Sequence, residues 1–231
     1  IKDVVLKRCP NLLIFDHSIV RAAPPRTIAS GMADAVAKWY ESSLTSSTSK
    51  DGFVQQAVQM ARVLRDQLFL NGYNAFKDPL STSWEIVAEG CALTAGIIGG
   101  LGGARCRTAA AHPIHNGLTQ LSYKSKPLHG ELVGFGLLVQ LYLEEKNSNT
   151  QLPKQAKSQL INFLSQLNLP ISIDSISLRN ATTNELYKAC EFACKSDSDI
   201  HKLPFTINEK DLLEAIQSYK SLPISSNLRL K

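Results

Sequence analysis

The sequence predicts an all-α fold of many helices behind a short strand-bearing stub. Three observations carry this. From Pro25 onward, apolar residues recur at helical spacing in nearly every segment. Helix-start residues precede most of those segments. A single run, Asn11 to Phe15 (NLLIF), reads as a strand. With 231 residues, 44% of them hydrophobic, the chain can build a sizeable core, and a charged fraction of 19% excludes wholesale disorder.

Asp16 ends the strand candidate and Pro24-Pro25 breaks the chain. Ser30 or Gly31 then caps a helix through MADAVAKWYE, which places Asp34 in its first turns. The Ser/Thr-rich stretch SSLTSSTSKDG reads as a mobile loop. Phe53, Val54, Ala57, Val58, Ala61, Leu64 and Leu68 follow helical spacing. Thr82 and Glu85 form a capping box for a helix that runs to the glycines near Gly96. HGELVGFGLLVQLYLEE, opened by His129, is a long apolar helix expected at the centre of the core. PKQAKSQLINFLSQLNLP is amphipathic and ends at Pro170. Two last helices start from Thr182 or Thr183 and from Asn208. No internal repeat and no linker divides the helical part.

Lys and Arg are scattered rather than clustered, so the net charge of +5 describes a solvated surface and no nucleic-acid partner is expected. Five cysteines, an odd number without a Cys-x-x-Cys pair, exclude a disulfide framework and point to a reducing, cytoplasmic setting. Cys190 and Cys194 read as small buried hydrophobes. No secretory signal is legible in IKDVVLKRCPNLLIFD. The most apolar stretch, EIVAEGCALTAGIIGGLGG, is interrupted by Glu85 and Glu89 and weakened by its glycines, so no membrane partner is expected. The sequence opens without Met and reads as if something upstream were missing.

The chemistry concentrates in three places: Asp34 in SGMADAVAKW, His112 and His115 in AAAHPIHNGLT, and His129 in LHGELVGFG. Three residues apart, His112 and His115 share a helix face, with Pro113 at the first helical position and His112 at the cap. Two imidazoles and one carboxylate suit a tetrahedral zinc with one position left open. Taken singly, each has a plainer reading: Asp34 as a favourable N-terminal charge, His-x-x-His as a surface pair. The run GIIGGLGGARC follows a helical pattern and fits no Gly-x-Gly-x-x-Gly register, so it reads as a flexible turn or a close backbone approach rather than a dinucleotide loop.

Together these segments resemble the glycerol dehydrogenase branch of the iron-containing alcohol dehydrogenase superfamily. APPRTIASGMADAVAKWYE is similar to that family's Asp-bearing helix. AAAHPIHNGLT resembles its His-x-x-His-Asn-Gly-Leu-Thr segment, and LHGELVGFGLLVQLYLE its His-Gly-Glu helix. DIHKLPFTINEKDLLEAI resembles its closing segment. The matches fall in family order and reach nearly end to end.

The resemblance implies the helical C-terminal domain of the dehydroquinate-synthase-like, alcohol-dehydrogenase-type fold. It assigns residues 1–22 to a remnant strand and connector of a nucleotide-binding domain, and 23–231 to the metal-binding domain. It implies metal ligands at Asp34, His112 and His129, and an orienting or proton-handling role for His115 beside the substrate. Lys38 stands where the wider superfamily has a fourth, histidine ligand, which favours zinc over Fe2+. The implied activity is NAD-dependent hydride transfer from a polyol such as glycerol, the metal acting as Lewis acid, in a homo-oligomer.

Three departures bear on this expectation. The family's Gly-Gly-Gly phosphate loop does not occur in the sequence. Leu132 replaces a lysine after His-Gly-Glu. Arg105 and Arg107 add charge that either faces solvent or holds an anionic polyol. The competing readings are a dehydroquinate-synthase-like lyase, whose histidine segment differs, and a non-catalytic helical domain of the same fold.

Overall fold

A computed structural model describes residues 11–106 and 108–220, with the side chains of residues 104 and 105 excepted. Ten α-helices form among them and no strand does. Asn11–Phe15 is therefore irregular chain rather than the expected strand. A strand needs a partner for its backbone N–H and C=O groups, and none lies among the described residues. Leu12, Leu13 and Ile14 stay exposed.

Helix α1 (His17–Arg21) is capped by the Asp16 carboxylate, which accepts from the Ser18 and Ile19 amides. Helix α2 (Pro25–Thr45) begins at the Pro pair, Pro25 fitting the first turn where its missing N–H costs nothing. Ser30 and Gly31 thus sit inside the helix instead of capping it, and Asp34 lies in its third turn. Ser42 to Thr45, expected in a loop, extend the same helix. Asp51 caps α3 (Gly52–Lys77).

Ser81, one residue before the expected Thr82, caps α4 (Thr82–Glu89). A single π turn, Gly90–Thr94, joins α4 to α5 (Ala95–Gly102). The glycines of this run are helical, and the chain turns only at Gly103, whose φ of +57° a side chain would disfavour. The continuous helix Thr82–Gly102 is thus long and apolar enough to cross a membrane by length and composition, and 28% of an apolar 18-residue stretch within it is buried. Its two acids have partners on α1: Arg21 reaches Glu85 at 3.1 Å and His17 reaches Glu89 at 3.0 Å.

Helix α6 (Ala111–Leu118) carries the histidine pair and α7 (His129–Asn147) the third histidine. Thirteen of the nineteen residues of α7 are buried, as its all-round apolar sequence predicts. Three more helices follow: α8 (Leu152–Gln166), α9 (Thr183–Ala193) and α10 (Glu209–Gln217). Thr182 and Asn208 cap α9 and α10 through reciprocal boxes with Glu185 and Asp211. Cys190 is buried and Cys194 half-buried, both as free thiols. Around α7 pack α2, α6, α8 and α10.

Candidate metal centre

Three helices bring the site together. Asp34 comes from the middle of α2, His112 from the first turn of α6, and His129 is the first residue of α7. Asp34 Oδ1 lies 3.2 Å from His112 Nε2 and 3.4 Å from His129 Nε2. One ligand atom from each of the three residues lies within 4.8 Å of the other two. Side-chain exposure rises from 15% at His112 through 32% at Asp34 to 54% at His129, so the cluster opens to solvent on the α7 side.

The two imidazoles present the same nitrogen inward because their other nitrogens are engaged. His112 Nδ1 meets Glu41 Oε2 at 2.5 Å. His129 Nδ1 meets His115 Nε2 at 3.0 Å, and His115 Nδ1 meets Asn116 Oδ1 at 2.9 Å. A carboxylate and an amide oxygen only accept. His115 therefore donates from Nδ1 to Asn116 and accepts at Nε2 from His129. In the neutral form of each ring, the Nε2 facing Asp34 then carries the lone pair that a metal takes.

Charge and burial act in concert. The two imidazoles and Lys38 outweigh the burial that would raise the Asp34 carboxyl, and hold it well below the usual carboxylate range. Burial would lower His112, but Glu41 and Asp34 outweigh it and push it up to about 9. Burial, reinforced by the charges of His129 and His112, carries His115 down to about 4, so it is neutral at neutral pH. Burial and then Asp34 raise Cys91 to about 12, so it stays a thiol at neutral pH.

The helix starts that carry the histidines are secured from elsewhere in the chain. Ala110, at the N-cap of α6, has no side-chain acceptor. Glu41 Oε1 instead accepts from the Ala109 and His112 amides at 2.8 and 3.2 Å. Gln140 Oε1, from α7, accepts from the Ala110 and Ala111 amides at 3.1 Å each. Pro113 is the third helical residue rather than the first, and His112 lies inside the helix. At the start of α7, the Gly130 amide donates to Ser30 Oγ at 3.1 Å. Ser30 thus caps a helix, but not its own. Glu131 accepts from the Leu128 amide and takes Arg26 through two bonds of 2.5 and 2.6 Å, tying α7 to the first turn of α2.

Sequence reasoning found the three ligand candidates and His115, and missed Glu41, Gln140, Ser30 and Arg26. Glu41 had one signal: it stands seven residues, two helical turns, after Asp34 on the same face. Arg107 and the side chain of Arg105 lie outside the described residues. Leu132 is a buried core residue.

Gln140 also donates to Glu144 at 3.0 Å, and burial pushes the Glu144 carboxyl up to about 7. Folding therefore favours its protonated form. The associated stability is complete below the unfolded value near 4.5 and is lost as pH rises through about 7. Thermal melts of Glu144→Gln and the parent should accordingly diverge in favour of the variant between pH 5 and pH 8. Parallel profiles would remove this assignment.

No family model matches the chain. It is 48% identical over 216 residues to an uncharacterised oxidoreductase from Synechocystis sp., covering 94% of this chain and 56% of that protein. It is 31% identical over 219 residues to the glycerol dehydrogenase of Thermotoga maritima, covering 92% and 58%. The crystal structure of glycerol dehydrogenase from Schizosaccharomyces pombe superposes with a TM-score of 0.80 at 27% identity, covering 91% of this chain and 54% of that one. The chain is a glycerol-dehydrogenase-like member of the iron-containing alcohol dehydrogenase superfamily. This glycerol-dehydrogenase-like chain spans about half the length of the curated relatives it matches. Its helical bundle corresponds to the all-α C-terminal domain of that superfamily.

Proposed function

We propose that Asp34, His112 and His129 hold a catalytic divalent metal, zinc in preference to iron, in the helical part of an NAD-dependent polyol dehydrogenase. One observation carries the reading. Asp34 Oδ1 is buried without a hydrogen-bond partner, yet the Nε2 atoms of two imidazoles converge on it. Ligand atoms on a tetrahedral zinc with bonds of about 2.0–2.1 Å stand about 3.3–3.4 Å apart. The two measured separations, 3.2 and 3.4 Å, are those of such an edge. Oxygen plus imidazole nitrogen is a donor set zinc accepts, and the absence of a histidine at Lys38 leaves a three-ligand site with an open position.

A metal held there would supply Lewis-acid polarisation of an alcohol oxygen, with the hydride chemistry belonging to a nicotinamide. The chain's own residues set the stage. Asp34, ionised, and the imidazoles of His112 and His129, which would give up any Nε2 proton to the metal, fix the donor positions. His115 orients His129 and remains neutral, a positioning role rather than that of an acid. The exposed side at His129 is where a polyol would enter. Arg105 and Arg107 are the residues to hold an anionic group on such a substrate. The exposed, apolar Leu12–Ile14 segment fits the edge of a sheet in a nucleotide-binding domain. A cytoplasmic homo-oligomer completes the reading.

The test is metal content. The purified chain should carry zinc at about one equivalent, and Asp34→Asn, His112→Ala and His129→Ala should each lose it while staying folded by circular dichroism. A folded chain that takes up neither zinc nor iron sinks the proposal. Glycerol oxidation with NAD, measured on a chain that includes a nucleotide-binding domain, then tests the substrate class.

A further inference from the structure

We infer that Glu41 is the positioning residue of this centre: it selects the His112 tautomer that presents Nε2 to the metal. The inference rests on the metal reading above. It goes beyond the three ligands, because it names the group that makes one of them competent.

The geometry leaves Glu41 little freedom. Its side chain is fully buried. One oxygen, Oε1, receives the amides of Ala109 and His112, so it acts as an acceptor. The other, Oε2, faces His112 Nδ1 at 2.5 Å. As an ionised carboxylate, Glu41 has only acceptor capacity to offer Nδ1. The proton of a neutral imidazole must then sit on Nδ1, which empties Nε2 toward Asp34 and His129. The same carboxylate fixes the His112 backbone amide and its ring. Ring orientation and helix position are therefore set by one side chain, from a residue two turns along the helix that bears Asp34. A carboxylate behind a metal-bound imidazole also raises its basicity and so its strength as a ligand.

Glu41→Gln separates this role from a purely structural one. Its amide oxygen can still accept from the Ala109 and His112 amides, so the start of α6 remains satisfied. Its NH2 group, however, now points at Nδ1 and demands an acceptor there, which moves the imidazole proton to Nε2. The expected result is a folded protein melting close to the parent, with zinc affinity about 10- to 100-fold weaker by chelator competition. In the zinc-loaded parent, 15N imidazole shifts should show His112 protonated at Nδ1. The inference is overturned if Glu41→Gln binds zinc within twofold of the parent, or if His112 in the parent carries its proton on Nε2. Should Glu41→Gln not fold, the parent's 15N spectrum decides alone. A parent that binds no metal removes the proposed function itself, a result distinct from equal binding by both proteins.

Discussion

Gly130→Ala is expected to unsettle fold and metal centre together. A Cβ at Gly130 would stand 1.8 Å from the backbone oxygen of Ser30 and 2.8 Å from Ser30 Oγ. The obstacle is the backbone of α2, not the end of a flexible side chain, so no rotamer change relieves it. Overpacking of this kind costs about 1–3 kcal/mol, and a backbone clash belongs at or above the upper end. At roughly 2–4 °C per kcal/mol for a chain of this size, the melting temperature should fall by about 6–12 °C. The metal centre should suffer as well. Asp34 stands one turn beyond Ser30 on α2, and His129 immediately precedes Gly130, so prying the helices apart separates two ligands. Zinc–nitrogen bonds near 2.0–2.1 Å do not survive a shift of about 1 Å. Zinc affinity should drop at least tenfold, read by chelator competition. Ser30→Ala, which removes only the hydroxyl that receives the Gly130 amide, should cost about 1 kcal/mol and leave the centre in place. An alanine at 130 that melts within a degree of the parent would contradict the close approach.

The second large effect is expected at Gln140→Leu. Leucine suits the volume and the apolar surroundings of α7, so the change tests the polar contacts alone. It strips the Ala110 and Ala111 amides of their only acceptor among the described contacts, both in a fully buried setting. Each orphaned donor costs about 1–3 kcal/mol, giving roughly 2–6 kcal/mol in all. The donor bonds to the Tyr40 carbonyl and to Glu144 go as well. Denaturant unfolding should report a loss within that range, with the first turn of α6 loosened around His112. A loss below about 1 kcal/mol would mean that the two amides find another partner, and the account of the α6 start would fail.

These two positions also mark what the sequence could and could not reveal. The candidate ligands Asp34, His112 and His129 were legible through the family resemblance; residue types and spacing alone left each with a plainer reading. The central place of α7 was legible because its apolar residues run all the way round. Helix starts were legible where the cap is local, as at Thr182 and Asn208. They were not legible where the cap comes from another helix. Ser30 looked like the start of α2 because a serine before an apolar run usually is one, and its true duty to Gly130 depends on a contact 100 residues away. The start of α6 carries only alanines before His112, and nothing in that stretch says that Glu41 and Gln140 supply the acceptors. The strand at 11–15 failed for a related reason: its composition is right, but a ladder is a property of two segments.

The four amides at the head of α6 have one further consequence. They are held by side chains from the two helices that carry Asp34 and His129, which resists fraying of the first turn of α6. Opening it requires α2 and α7 to part, which amounts to dissolving the core. The bundle therefore gives His112 the lifetime of the whole cooperative unit rather than that of a chain segment. An ion held as proposed would then exchange through the solvent-facing mouth beside His129 rather than through local unfolding.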